Sequence, residues 1–237
     1  MSDASWPLFL RQRDSLGLGR YWPSLFDTYA DWQLAVCDPL DHVVAVGQTV
    51  PFRWDGTAAD LPESLAAILA RAAGAEPPNT LSALAALVDP KHRGQGLSAI
   101  VIRAMADRAR AAGFADLVAP VRPMLKASYP LAPMERYVAW TDDDGLPFDP
   151  WMRVHARLGA TIVRVIPVAL VIEATVAAWE EWTEMKFPES GAYVVPGALQ
   201  PVVVDRESDK ARYEDPNVWM RHSLGGGRHP PSGAPRS

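Results

Sequence analysis

The most constraining stretch of the chain is Arg93-Gly94-Gln95-Gly96-Leu97-Ser98, set between an apolar run that ends at Val88 and a periodic run that continues to about Ala112. It predicts a strand, a glycine-rich turn and a helix in succession. The first amides of a helix have no intrahelical partner and carry the positive end of its dipole. Gly94 and Gly96 clear side chains from the approach, so a pyrophosphate can sit on bare N–H groups. Lys91, His92 and Arg93 add positive charge beside it. The spacing is neither the GxxxxGK[ST] of a P-loop nor the GxGxxG of a dinucleotide fold. The same turn could also be a plain solvated helix start, so its surroundings have to decide.

Those surroundings alternate. Trp22–Trp32 has Leu25, Phe26 and Tyr29 at helical spacing, and Gln33–Val36 and Val43–Phe52 read as strands joined by Asp38-Pro39-Leu40-Asp41. Leu61–Ala73 reads as a helix, with Asp60 placed to cap it and Pro62 in its first turn. Thr80–Val88 and Asp116–Val121 read as buried strands flanking the helix Ser98–Ala112, which Gly113 stops. After them come an irregular stretch over 122–149, a helix Pro150–Leu158, a strand Thr161–Ile172 bent or at an edge near Pro167, and a helix Ala174–Met185. Tyr193–Val204 holds one or two strands around Pro196-Gly197. The class is mixed α/β with one central sheet. Residues 1–223 are expected to form one domain, and the Gly/Pro-rich tail 224–237 to be disordered.

The turn and its lead-in Val88-Asp89-Pro90-Lys91-His92 resemble the signature of the GNAT N-acetyltransferases, Arg/Gln-x-x-Gly-x-Gly/Ala after a "V-x-P-x-x" approach. Ser98 departs from the usual Gly or Ala but is small and suits a helix start. The resemblance spans roughly residues 33–172. It implies a GNAT fold: a mostly antiparallel mixed sheet, splayed between its fourth and fifth strands and flanked by helices, here with an enlarged loop over 122–149. It implies that Arg93, Gly94, Gln95, Gly96, Leu97 and Ser98 hold the pyrophosphate of acetyl-CoA or another acyl-CoA. The pantetheine arm would run along Leu87 and Val88 between the splayed strands, here Leu81–Val88 and Asp116–Val121.

The resemblance also marks a catalytic position. Many GNAT enzymes have Tyr-x-x-x-Gly-Phe at the end of the fourth helix, where the tyrosine protonates the departing thiolate. This chain has His155-Ala156-Arg157-Leu158-Gly159-Ala160. His155 can serve as acid or base near neutral pH, and the acid role is the one expected here. A histidine at this point is similar to the GNAT-like domains of polyketide loading modules, known for decarboxylation and transfer to a carrier-protein thiol. Those would also carry a threonine and an arginine where this chain has Val121 and Leu170. That departure weighs against the same reaction.

The strand Leu81–Val88 holds no acidic residue to act as base. The insert supplies Glu135, Asp142, Asp144 and Asp149, among which Glu135 is the expected base. Tyr129, Tyr137, Trp140 and Trp151 are interleaved with them, and Tyr137, Trp140 and Trp151 are expected to line an acceptor pocket. Glu214–Trp219 has no evident role, and His222 beside the tail reads as incidental.

Composition removes other classes. The net charge of −5 without a basic block argues against nucleic acid. The N-terminus has no signal-peptide pattern, and Arg164, Pro167 and Glu173 interrupt the most apolar stretch, which argues against a membrane span. Cys37 is the only cysteine, so a cytoplasmic setting is expected. No metal-ligand spacing and no Gly-x-Ser-x-Gly elbow occur. The expected partners are a small-molecule acceptor or a carrier protein, and exposed strands and tryptophans leave a homodimer open.

Overall fold

A computed structural model describes residues 6–225. Its strands are β1 (Leu34–Cys37), β2 (Val43–Phe52), β3 (Thr80–Val88), β4 (Asp116–Val121), β5 (Ala160–Ala174), β6 (Gly191–Tyr193), β7 (Val202–Asp205) and β8 (Lys210–Ser223). Its helices are α1 (Leu18–Tyr21), α2 (Leu65–Ala72), α3 (Leu97–Ala111), α4 (Met134–Tyr137), α5 (Pro150–Arg157) and α6 (Val176–Thr183). The sheet order is β1-β2-β3-β4-β8-β7-β6, and β5 lies along the other edge of β8. Every pairing is antiparallel except β3–β4. This is the mixed, mostly antiparallel sheet expected of a GNAT fold.

The parallel pair fixes the site. It registers only at Thr80–Asp116, Leu81–Leu117 and Ser82–Val118. Beyond Ser82, β3 stays with β2 up to Val88, while β4 stays with β8 up to Val121. The sheet therefore opens into a V whose vertex is Ser82–Val118. A cause is visible beside it. The β2–β3 register shifts between Gln48 and Thr49, leaving Leu84 as an extra residue on β3. Such a bulge increases local twist, just after the last β3–β4 pair.

The helices pack in layers. On one face α3 buries Val101, Ile102, Met105, Ala106 and Ala109, one stripe of an amphipathic helix, against Ala45, Leu81 and Leu117. Burial of each larger chain in that stripe stabilises the fold by roughly 1.5–3 kcal/mol. α5 packs on the same face through Trp151 and Val154. On the opposite face Ile68 and Leu69 of α2 meet Val50, Phe52, Val118 and Trp219, and α6 places Trp179 against Phe9 and Tyr213.

Several expectations need adjusting. Trp22–Trp32 is not one helix but two short 3-10 turns, Trp22–Leu25 and Ala30–Trp32. α2 starts later than expected and is capped by Ser64, whose side chain accepts from Ala67 N. Asp60 instead holds Asp55 N and Arg71. Pro167 falls where the strand pairing is interrupted. β5 is an edge strand whose register slips between Ile166 and Leu170, so the missing N–H costs no ladder bond. The long strand β8 was unforeseen. Leu224, assigned to the tail, is buried, and its N–H donates to the Ala115 carbonyl. The rest of the expected tail, after Gly225, lies outside the described residues. Among the described residues, no helix is long and apolar enough to cross a membrane.

Candidate active site

Gly94 and Gly96 both adopt left-handed backbone, at φ +79° and +75°. That conformation is nearly free for glycine and strained for other residues. Crowding is not the reason for glycine here, because a Cβ at either position meets nothing within 4 Å. Gly96 is the N-cap of α3, and its carbonyl accepts from Ala99 N at 3.0 Å and Ile100 N at 3.3 Å. The amides from Gly94 to Ser98 therefore precede the first helical bond. Arg93, Gly94, Gln95 and Gly96 are exposed, while Leu97 and Ser98 are partly buried. Leu87 and Val88, at the open end of β3, are half-buried opposite Val46 and Ala45. The turn thus stands at the mouth of the V, with Arg93–Gly96 exposed to solvent.

At the vertex the structure places a pair of histidines. His155 comes from the last turn of α5 and His222 from the end of β8. His222 registers with Leu117, one residue before the vertex pair Ser82–Val118, and shares the face on which α3 and α5 pack. His155 Nδ1 lies 2.9 Å from His222 Nε2, and the two residues are 2 % and 4 % exposed. The Trp151 ring stands edge-on to His155 at 4.7 Å. Burial first, and the neighbouring His222 second, push the His155 imidazole down to about 3. Burial also lowers His222, offset in part by its hydrogen bond to the Leu158 backbone. Both rings are therefore neutral at neutral pH. Of the two facing nitrogens one must donate and the other accept, and with the proton on His155 Nδ1 the free lone pair of His155 lies on Nε2. That state suits a base better than the acid expected from the sequence.

The insert is built differently from a pocket wall. Tyr137 and Trp140 belong to a cluster with Tyr129 and Phe148, their ring centres 5.1–6.2 Å apart. Tyr137 is buried, and its hydroxyl donates to Asp149 Oδ2 at 2.9 Å. The same carboxylate accepts from Leu125 N, and its other oxygen caps α5 at Trp151 N and Met152 N. Asp149 thus anchors the insert to the helix that carries His155. Asp142 closes a turn onto Asp144 N and Leu146 N and pairs with Arg153 at 2.8 Å. Glu135 stands exposed on α4, while Met134 and Tyr137 turn inward. Of the sequence-derived set, only His155 and Trp151 come together at the vertex.

Two further constellations escaped the sequence. Arg122, just past β4, directs Nε at both oxygens of Asp215 at 3.0 Å and Nη2 at the Gly197 carbonyl. Tyr213 donates its hydroxyl to the same carboxylate. Burial first, and the Asp215 charge second, hold that phenol protonated far above its usual range. On the α2 face of the sheet, Ser82 Oγ at the vertex and Asn217 Oδ1 beside the end of β4 are buried without a hydrogen-bond partner among the described residues. Natural proteins leave few such groups unsatisfied.

No family model matches the chain. It is 35% identical over 251 residues to the arginine N-acetyltransferase avaD of Aspergillus versicolor, covering 92% of this chain and 85% of that protein. Two solved structures share its fold at lower identity. One is the GphF GNAT-like decarboxylase in complex with isobutyryl-CoA, 16% identical with a TM-score of 0.59 over 93% of this chain and 89% of that one. The other is the loading GNATL domain of CurA from Lyngbya majuscula, 17% identical with a TM-score of 0.55 over 85% and 80%. A sheet opened at Ser82–Val118, a glycine turn at its mouth and a relative this similar over nearly the whole chain leave one assignment: the protein belongs to the GNAT superfamily and is a GNAT-type acyltransferase.

Proposed function

We propose that the enzyme moves an acyl group, most simply acetyl from acetyl-CoA, directly onto an amine of arginine or an arginine-like small molecule. The observation that carries this reading is the V between β3 and β4, with an exposed glycine turn at its mouth and a buried imidazole at its vertex. The residues suit the co-substrate: Gly94–Ser98 offer amides ahead of the first helical bond to a diphosphate, and the edges of β3 and β4 offer unpaired backbone groups to an amide-bearing arm. The acceptor class is supported by the likeness to avaD, an arginine N-acetyltransferase, and by the buried acceptor atoms Ser82 Oγ and Asn217 Oδ1, on the face opposite α3.

In this reading His155 Nε2 takes a proton from the incoming amine, while Trp151 excludes water from one side of the ring. Backbone donors at the opened strands position the thioester carbonyl, so most of the rate comes from placement and electrostatics. His155 then supplies the base that β3 lacks, and Glu135 is not needed. Transfer to a carrier-protein thiol finds support only in the fold likeness to the CurA and GphF structures, and Val121 and Leu170 still depart from the threonine and arginine that the resemblance to loading modules implies.

The test is direct. Purified enzyme is incubated with acetyl-CoA and either L-arginine, a panel of amines and alcohols, or a carrier protein. Free thiol and product mass are then measured. Acetyl-arginine formed with stoichiometric thiol release is expected. Thiol release with the carrier alone, or CoA binding without turnover of any acceptor, would replace the reading.

A further inference from the structure

The proposed reaction has a proton to dispose of. An amine acceptor arrives as an ammonium. When its C–N bond forms and the thioester C–S bond breaks, one nitrogen proton ends on the thiolate sulfur and one must leave for solvent. His155 cannot release that proton where it stands, because it is 2 % exposed and shielded by Trp151. Its Nδ1 side does have an outlet. His222 lies 2.9 Å away and lines a hollow of about 330 Å³ between α3 and the end of β8. Arg103, Asp107, Arg110, Leu158 and Ser223 form other parts of that wall. A polar hollow of this size has room for several waters, each occupying about 30 Å³ in the liquid.

We infer that His155 and His222 form a proton relay: His155 accepts the ammonium proton at Nε2, its Nδ1 proton passes to His222 Nε2, and His222 delivers a proton to the hollow beside α3. The inference rests on the amine-acceptor reading above. In this scheme His222 is a relay and positioning residue, and it touches neither substrate.

Three observations support it. His155 Nδ1 and His222 Nε2 stand 2.9 Å apart, so one nitrogen donates and the other accepts, the contact that hand-over needs. Burial disfavours charge on both rings, so neither holds the accepted proton. The groups facing the pair also suit an exit. β4 and β5 present only Leu117 and Ala160 beside His222, and the neighbouring Arg221 turns to the other face to pair with Asp116. The charges lie in the hollow, on α3, where Asp107 and Arg110 pair at 2.7 Å and Arg103 stands near them.

The test compares wild type, H155Q and H222Q with acetyl-CoA and L-arginine across pH. The glutamine amide in H222Q would keep a hydrogen bond to His155 but could not pass a proton on. H222Q is expected to keep its KM for acetyl-CoA and its melting temperature and to lose about 100-fold in kcat. That deficit should shrink as pH approaches the pKa of the acceptor amine and free base becomes abundant, a readout that loss of packing would not produce. If H155Q is inactive while H222Q turns over like wild type at every pH, the relay is overturned and the role of His155 stands. If H155Q itself keeps full activity, the base assignment and the relay both fail. Should H222Q melt early, H222A with added free imidazole replaces it: saturable recovery of rate supports the relay, and no recovery overturns it.

Discussion

Nδ1 of His155 and Nε2 of His222 lie 2.9 Å apart in a site almost closed to water. The folded state keeps both rings neutral, with His155 pushed down to about 3 by burial and then by His222, and His222 lowered by burial. An unfolded chain protonates both near 6.5. As pH falls below that value the unfolded state takes up protons that the folded state refuses, so stability declines from about pH 6.5 downward and is unaffected above it. The slope is about 1.4 kcal/mol per pH unit for each histidine that stays neutral. Urea denaturation between pH 7.5 and 5, above the range where most carboxylates titrate, checks this. His155→Phe should flatten the slope, and an unchanged slope would show that His155 is not what resists acid.

Gly94 and Gly96 separate binding from folding. Alanine at either position meets no neighbouring atom but must hold φ near +75° to +79°. That conformation costs about 1 kcal/mol. The added methyl also covers amides at the helix entrance. Gly94→Ala and Gly96→Ala should each weaken acetyl-CoA by about tenfold or more, equivalent to about 1.4 kcal/mol of binding, while melting shifts by only a few degrees. Calorimetric titration with acetyl-CoA against a thermal melt checks this. Unchanged affinity would detach the turn from the co-substrate.

How far the sequence could be read follows from where its periodicity survived. The segment from β3 through α3 to β4 was legible because strand, turn and helix each keep their own period, and both Gly94 and Gly113 carry the positive φ that glycine advertises. β8 was hidden by its charges and by Pro216. That proline is tolerated because it falls in gaps on both sides. β7 ends its pairing at Arg212 and β4 begins at Val218, while β5 slips between the partners of Asp215 and Asn217. Without β8 as a strand, His222 could not be placed opposite Leu117, and the partner of His155 stayed out of sight. The aromatic insert misled in the opposite direction. Tyr137 and Trp140 look like a pocket because they are amphipathic, yet they pack on one another. A sequence reports that a side chain wants a partner, not whether the partner is a ligand or the next aromatic.

Arg122 and Asp215 form an ion pair in which the carboxylate is fully buried and the arginine side chain is 15% exposed. Removing one member leaves a buried charge alone, which costs about 3–5 kcal/mol. Arg122→Met should therefore lower the melting temperature by roughly 10 °C. Arg122→Lys should recover only part of that, since an ammonium cannot bridge both oxygens and reach Gly197 as the guanidinium does. The double variant R122M/D215L should be more stable than R122M, because it removes the stranded charge. If R122M and the double variant melt together, the pair contributes nothing beyond packing.

Asp149 joins stability to rate. Four donors converge on its carboxylate: Leu125 N, the Tyr137 hydroxyl, Trp151 N and Met152 N. Tyr137→Phe removes one bond and should cost about 1 kcal/mol, with kcat unchanged. Asp149→Ala strands the buried hydroxyl and amides and uncaps α5, for a loss of roughly 2–4 kcal/mol. Because α5 aims His155, the same variant should lower kcat severalfold while leaving the affinity for acetyl-CoA, set at α3, nearly intact. Asp149→Asn keeps acceptor capacity on one oxygen and should fall between the two. Steady-state kinetics beside thermal melts decide it: a D149A enzyme with wild-type kcat would mean that His155 holds its place without this anchor.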